Sequence, residues 1–153
     1  EYEIPTRFIE LAGEINTAMP EYVISRLAGA MNRARKSLNG ARILLLGVAY
    51  KKDVDDMRES PSLRLIELLH EQGAAVEYHD PFIPALPATR KYRYRLRSVP
   101  LTPARLKAAD AVLIATDHSE VDYRLVGQHA RLIVDTRNAM ARVKRSRALV
   151  IQA

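Results

Sequence analysis

RILLLGVAYKKDVDDMRESPSLRLIELLHEQGAAVEYHDP, residues 42–81, decides how the rest of the chain is read. It opens on RILLLGV, residues 42–48, a short unbroken apolar run of the type found in strands buried on both faces of a sheet. Over 61–72 the pattern changes to that of a helix, with Leu63, Leu65, Ile66, Leu68 and Leu69 forming a broad apolar face. Pro61 suits the first helical turn and Ser60 its N-cap, while Gly73 closes the segment. Residues 75–79 form a second strand that ends at Asp80-Pro81. Strand, helix and strand in that order predict a βαβ unit.

Toward the C-terminus the alternation continues. Thr102 caps a short helix over 103–109, AVLIA at 111–115 is a third buried strand, and 120–128 is another short helix. Residues 132–135 give a fourth strand and 148–151 a short last one; 82–102 have no clear period. Toward the N-terminus, residues 6–37 carry two apolar groups at helical spacing: Phe8, Ile9, Leu11, Ala12 and Ile15, then Val23, Ile24, Leu27, Ala28 and Met31. Thr6 is placed to cap this helix. Pro20 lies between the two groups, lacks an N–H and clashes with the preceding turn, so a kink or break is expected near residues 18–20. Asn39-Gly40 supplies the turn chemistry expected at the end of the arm. The expected architecture is α/β, a Rossmann-like three-layer domain with a parallel sheet over 39–153, preceded by a long helical arm over 1–38.

Composition narrows the chemistry. The 153 residues suit one domain of ordinary size. No apolar run approaches the length of a membrane span, and no basic-then-apolar signal segment opens the chain, so no membrane partner and a cytoplasmic location are expected. The chain starts at Glu1 rather than Met, so a boundary or processing point is expected there. It has no cysteine, which excludes disulfides, thiolate metal sites and a thiol nucleophile within these residues. His70, His79, His118 and His129 make no helical pair at metal-ligand spacing, so no zinc site is expected. The net charge is +6, concentrated in Arg90, Lys91, Arg93, Arg95 and Arg97 and again in Arg142, Lys144, Arg145 and Arg147. Such a balance favours phosphate-bearing partners, although a solvated surface is the plainer reading of each block. Tyr92 and Tyr94 interleave with the first block, an arrangement open to base stacking, but no nucleic-acid module is recognisable and nucleic acid is not an expected partner.

In parallel sheets ligands sit beyond the carboxyl ends of the strands, at a topological switch point. That rule selects residues 47–60, 79–84, 116–120 and 136–140. The first is the richest, with Lys51, Lys52, Asp53, Asp55, Asp56, Arg58 and Glu59 in close succession. It lacks the G-x-G-x-x-G that lets a backbone approach a pyrophosphate, so a phosphate there must be held by side chains, Lys51 as a point charge and Arg58 as a bidentate fork. The competing reading pairs Asp55, Asp56 and Arg58 with one another beside the next helix, and for the aspartates it is preferred. For Lys51 and Arg58 both readings stand. Asp80 could hold a ribose hydroxyl but reads as a simple turn residue. Asp117 or Ser119 reads as the cap of the following helix, His118 as structural, and Arg137 as an arginine well located for a phosphate or sugar.

GVAYKKDVDDMRESPS, then HDPFIP, ATDH and VDTRN in that order, resemble the C-terminal domain of nucleotide-sugar 6-dehydrogenases, the UDP-glucose/GDP-mannose dehydrogenase family. TRFIELAGEINTAMPEYVISRL resembles the later part of that family's central helical region, and the wording leans toward the bacterial UDP-N-acetylglucosamine or UDP-N-acetylmannosamine branch. The resemblance implies a two-step oxidation of a sugar C6 alcohol to a carboxylate with NAD as cofactor. It implies that Tyr50, Lys51 and Arg137 contact the UDP-sugar, that Arg58 reaches across the cleft toward NAD, and that the arm forms a homodimer, for which Leu11, Ile15, Val23 and Leu27 supply an apolar face. The NAD fingerprint and the thiolate that would trap the aldehyde are not within this sequence, so the chain is expected to be inactive by itself and no catalytic residue is assigned. A free-standing nucleotide-binding regulatory module is the second reading, and the arm, which resembles a larger enzyme's middle cut partway, argues against it.

Overall fold

The computed structural model describes residues 7–86 and 95–153. Its centre is a five-stranded parallel sheet of β1 (Arg42–Leu46), β2 (Ala75–His79), β3 (Ala111–Ile114), β4 (Leu132–Asp135) and β5 (Leu149–Gln152), in the order β2-β1-β3-β4-β5. The strands read as apolar runs because both faces are covered. Successive side chains alternate faces. Ile43, Leu45, Leu113 and Val134 therefore enter one core with α1 (Arg7–Arg33) and α2 (Pro61–Glu71), while Leu44, Leu46, Val112, Ile114 and Ile133 enter another with Leu106 of α3 (Pro103–Ala108) and Val126 of α4 (Tyr123–His129). This is the three-layer α/β arrangement expected. Ser60 and Thr102 cap α2 and α3 as their chemistry requires.

Three local expectations are corrected. Of the kink or break expected near Pro20, the break does not occur, and the first helix runs through the proline. The lost hydrogen bond and ring clash cost about 3 kcal/mol. Pro20, Val23, Ile24 and Leu27 are buried just beyond, and burial of each large apolar side chain returns about 1.5–3 kcal/mol. The helix also stops at Arg33, well before Asn39-Gly40. Arg35 takes a left-handed φ of 57°, its N–H bonds to Asn32 O and that of Lys36 to Met31 O, the paired closure usually built on glycine. Finally, α4 begins at Tyr123 and is capped by Asp122, because Asp117 and Ser119 are engaged elsewhere.

Candidate functional site

β1 has β2 on one side and β3 on the other, so the topological switch point lies beyond Leu46 and Ile114. There the chain fills its own crevice. Gly47 has φ 81°, and a Cβ on it would lie 2.4 Å from the backbone oxygen of Thr116. Only glycine lets the two loops meet so closely. The Thr116 hydroxyl donates to Ala49 O at 2.7 Å, and Ser62 Oγ donates to Gly47 O at 3.2 Å.

Asp80 closes this corner. Its residue is 2% exposed. Oδ2 accepts from the consecutive N–H groups of Val48 and Ala49, at 2.7 and 3.1 Å, and lies 3.1 Å from His118 Nε2. Oδ1 accepts from the N–H groups of Phe82 and Ile83, at 2.8 and 3.0 Å. Burial alone raises a carboxyl pKa, but here the hydrogen bonds from His118, Val48 and Phe82 outweigh it and hold Asp80 below the ordinary aspartate range. The residue is a turn former, as expected, but it is also the clamp joining three segments. The backbone amides that follow β1, which in dinucleotide folds face a pyrophosphate, are thus spent on an internal anion. That turn does not fit an NAD pyrophosphate.

The loop beyond is tied at its far side. Asp53, at φ 57°, accepts from Ser119 N and Ser119 Oγ, both at 2.7 Å, and donates its own N–H to His118 Nδ1 at 2.9 Å. The Ser119 hydrogen bonds hold the Asp53 carboxyl below its usual range. Tyr50 N–H donates to Asp56 O at 2.7 Å, folding the loop on itself. Tyr50 is half exposed, and the Lys51 ammonium stands 5.5 Å from the centre of its ring. Arg58 meets Asp56 bidentately, at 3.0 and 2.8 Å, the pairing preferred for that aspartate. This pairing, side chain first and backbone second, lowers the Asp56 pKa to about 2. The Arg58 side chain remains 87% exposed.

A second corner lies beside β4. Asp135 is fully buried and accepts from Arg137 N–H and Met140 N–H, at 3.0 and 2.9 Å, which sets the turn carrying Arg137 and leaves Asn138 at φ 57°. The Arg137 side chain is half exposed and reaches Asp117 at 3.4 Å; Lys52 reaches the other oxygen of Asp117 at 3.8 Å. Around them opens a cleft of about 730 Å³, lined among others by Lys52, Asp117, Tyr123, Arg124, Arg137 and Arg142. Its size lies within the range of small-molecule sites. Burial, then the charges of Asp117 and Asp135, push the Tyr123 phenol above its ordinary range, and its hydroxyl has no hydrogen-bond partner among the described residues.

Of the expected contact residues, Arg137 lines this cleft, whereas Tyr50, Lys51 and Arg58 do not. Lys52, Tyr123 and Arg124 line it without having been singled out. Lys52 is separable from Lys51 only by which way the loop turns, and Tyr123 and Arg124 sit on a helix start that was misplaced in sequence. Val23 and Leu27, expected on an intermolecular face, are instead buried in this chain's own core; Leu11 and Ile15 are exposed. Arg90, Lys91, Tyr92, Arg93 and Tyr94 lie outside the described residues. Among the described residues no cluster of three or more His, Asp or Glu could hold a metal ion, and no helix is long and apolar enough to cross a membrane.

The model of the UDP-glucose/GDP-mannose dehydrogenase family, UDP binding domain, matches residues 44–142. The chain is 33% identical to UDP-N-acetyl-D-mannosamine dehydrogenase of Pyrococcus horikoshii over 135 residues, which is 85% of this chain and 29% of that protein. It is 33% identical to UDP-N-acetyl-D-glucosamine 6-dehydrogenase of Pseudomonas aeruginosa, with coverage of 73% and 26%. Among solved structures, the Pyrococcus horikoshii UDP-D-ManNAc dehydrogenase superposes with TM-score 0.77 at 25% identity, over 99% of this chain and 34% of that one. The UDP-N-acetyl-mannosamine dehydrogenase from Staphylococcus aureus does so with TM-score 0.72 at 28% identity, over 98% and 34%. The chain therefore spans about a third or less of each of these relatives.

Proposed function

Because this chain belongs to the UDP-glucose/GDP-mannose dehydrogenase family, we propose that it is the UDP-binding portion of a UDP-sugar 6-dehydrogenase that oxidises the sugar C6 alcohol to a carboxylate. The observation that carries this reading is the contrast at the sheet edge. The backbone amides after β1 are consumed by Asp80, while Lys52 and Arg137 hold only a shared, loosely bound Asp117 at the mouth of a cleft. A diphosphate offered to this surface meets side-chain cations, not a glycine-rich turn. Arg137 serves as a fork for phosphate or sugar oxygens, and Lys51, with Tyr50 beneath it, supplies a second charge from the same loop as Lys52. The proposed contacts to the UDP-sugar are Arg137 at the cleft, with Lys52 beside it, and Tyr50 and Lys51 from the adjoining stretch of the same loop.

NAD supplies the hydride acceptor for such an oxidation. This chain's own turn is not shaped for it, so its proposed contribution is limited to Arg58, exposed and paired with Asp56. With no cysteine in the sequence, the thiolate needed for the second oxidation comes from outside these residues in this reading. The chain alone should produce no NADH from UDP-sugar and NAD⁺, and a UDP-sugar-dependent rise in NADH absorbance would overturn that.

The proposed organisation is an arm over 1–38 that continues a central helical region and a nucleotide-binding domain over 39–153. A homodimer through the arm would use the outward face of Leu11 and Ile15, about half exposed each, with Phe8 and Ile9 beside it. Sedimentation that finds only monomer at high concentration would count against the dimer. For the nucleotide, calorimetric titration of UDP into the chain is the direct test. Weak binding that Lys51→Ala and Arg137→Ala each reduce at least about tenfold, or about 1.4 kcal/mol, supports the reading. Binding unchanged in both variants would sink it.

A further inference from the structure

We propose that His118 is a positioning residue that holds the span from Tyr50 to Lys52 in its ligand-facing shape by accepting a hydrogen bond from the Asp53 backbone. The proposal rests on the reading that this loop holds the UDP-sugar.

The residues Tyr50, Lys51 and Lys52 are strung between two anchors. At one end, Ala49 is fixed through its N–H to Asp80 and through its carbonyl to Thr116. At the other, Asp53 is fixed through its N–H to His118 and through its carboxylate to Ser119. Asp80 and His118 touch each other, so a single buried pair staples both ends of the span. His118 is fully buried, with the Phe82 ring 5.0 Å away between centroids.

The partners also dictate the state of the imidazole. A backbone N–H can only donate, so Nδ1 facing Asp53 must be an acceptor. An ionised carboxylate can only accept, so Nε2 facing Asp80 must carry the proton. The ring is therefore the neutral Nε2–H tautomer, and its two nitrogens do different work. Nε2 ties the ring to Asp80. Nδ1 ties the ring to the loop.

That division makes the proposal separable from mere packing. In His118→Asn the amide oxygen stands where Nδ1 stood, so the acceptor for Asp53 is kept and the link to Asp80 is lost. In His118→Gln the amide nitrogen stands where Nε2 stood, so the link to Asp80 is kept and the acceptor for Asp53 is lost. Glutamine is also the closer match in volume. A residue that only fills space would favour glutamine, whereas a positioning residue favours asparagine.

The experiment is hydrogen exchange of the Asp53 amide in the whole chain and in both variants, referred to core amides such as Leu45, together with calorimetric UDP affinity. The expected result is Asp53 exchange and UDP affinity within about threefold of the parent in His118→Asn, and both worsened about tenfold in His118→Gln, the equivalent of about 1.4 kcal/mol. Nitrogen-15 spectra of the unsubstituted chain should show the Nε2–H tautomer, an observation that needs no variant to fold. Equal Asp53 protection in the two variants, or an Nδ1–H tautomer, would overturn the proposal. The exchange arm uses no nucleotide, so a chain with the expected exchange pattern but no UDP affinity would strike the UDP reading and leave the staple standing.

Discussion

Beside β1, the buried carboxylate of Asp80 takes hydrogen bonds from Val48, Ala49, Phe82, Ile83 and His118. Beside β4, the carboxylate of Asp117 keeps a quarter of its side-chain surface in solvent and meets Arg137 and Lys52 at 3.4 and 3.8 Å. Both lie at the carboxyl edge of one sheet. At the first corner the five donors that face Asp80 are all engaged by it. The second has two cations sharing one distant anion, an arrangement that an incoming phosphate can improve. An exposed ion pair of that kind contributes little to folding, about 0–1 kcal/mol, so the second corner can be given over to binding without loss of the fold.

The sharpest way to break the comparison is to remove each carboxylate. Asp80→Ala strands five donors in a dry site and should cost at least about 3 kcal/mol in urea unfolding. Asp117→Ala should stay within about 0.5 kcal/mol. Equal costs would erase the distinction between the corners. Next in size is Gly47→Ala, which combines a left-handed φ with contact against Thr116 backbone and should cost about 2–4 kcal/mol by the same assay. Acid sharpens the contrast further. The Asp80 pKa is depressed in the folded state, so between its folded and ordinary values the unfolded chain binds more protons. The stability it contributes is complete above the ordinary aspartate value of 3.8 and is lost as pH falls through the folded value. Asp53 and Asp56 act in the same direction, so the informative quantity is the difference between the parent and Asp80→Asn, which should narrow below that pH. A constant difference from neutrality to strong acid would contradict it. Smallest in stability is Arg137→Ala, expected within about 0.5 kcal/mol of the parent while UDP affinity falls at least about tenfold.

The two corners also differ in how far they can be read from sequence. β1 to β4 and α2 were legible to within two residues at each end because burial on both faces writes itself as unbroken apolar runs, and because Ser60 and Pro61 are local start signals. Asp80 was legible only as far as its own turn, to Phe82 and Ile83. Its other oxygen serves residues more than thirty positions away, which no local pattern encodes. The cap of α4 was misread for the same reason. Asp117, Ser119 and Asp122 are equally suited to cap a helix, and the choice is made by Asp53 and Arg137 drawing the first two away. Arg137 was legible at the carboxyl edge of the sheet because a strand end is a local fact. Lys52 rather than Lys51 lines the cleft, and which of two adjacent lysines a loop presents is not written in their identity. The apolar stripe of α1 was legible as a helix face, but not that a single chain covers its second half and leaves its first half bare.

That unbroken passage through Pro20 has a mechanical meaning. At about 1.5 Å per residue α1 is a rod of roughly 40 Å. Its inner portion, from Pro20 to Met31, is set into the same core as α2, and the outer portion stands clear of it by roughly 20 Å. A joint at the proline would let whatever seats on the outer portion move without consequence. A continuous rod does the opposite. Whatever seats on Leu11 and Ile15 is therefore joined by one helix to the core that α1 shares with α2, the helix whose first residue follows the loop bearing Lys51.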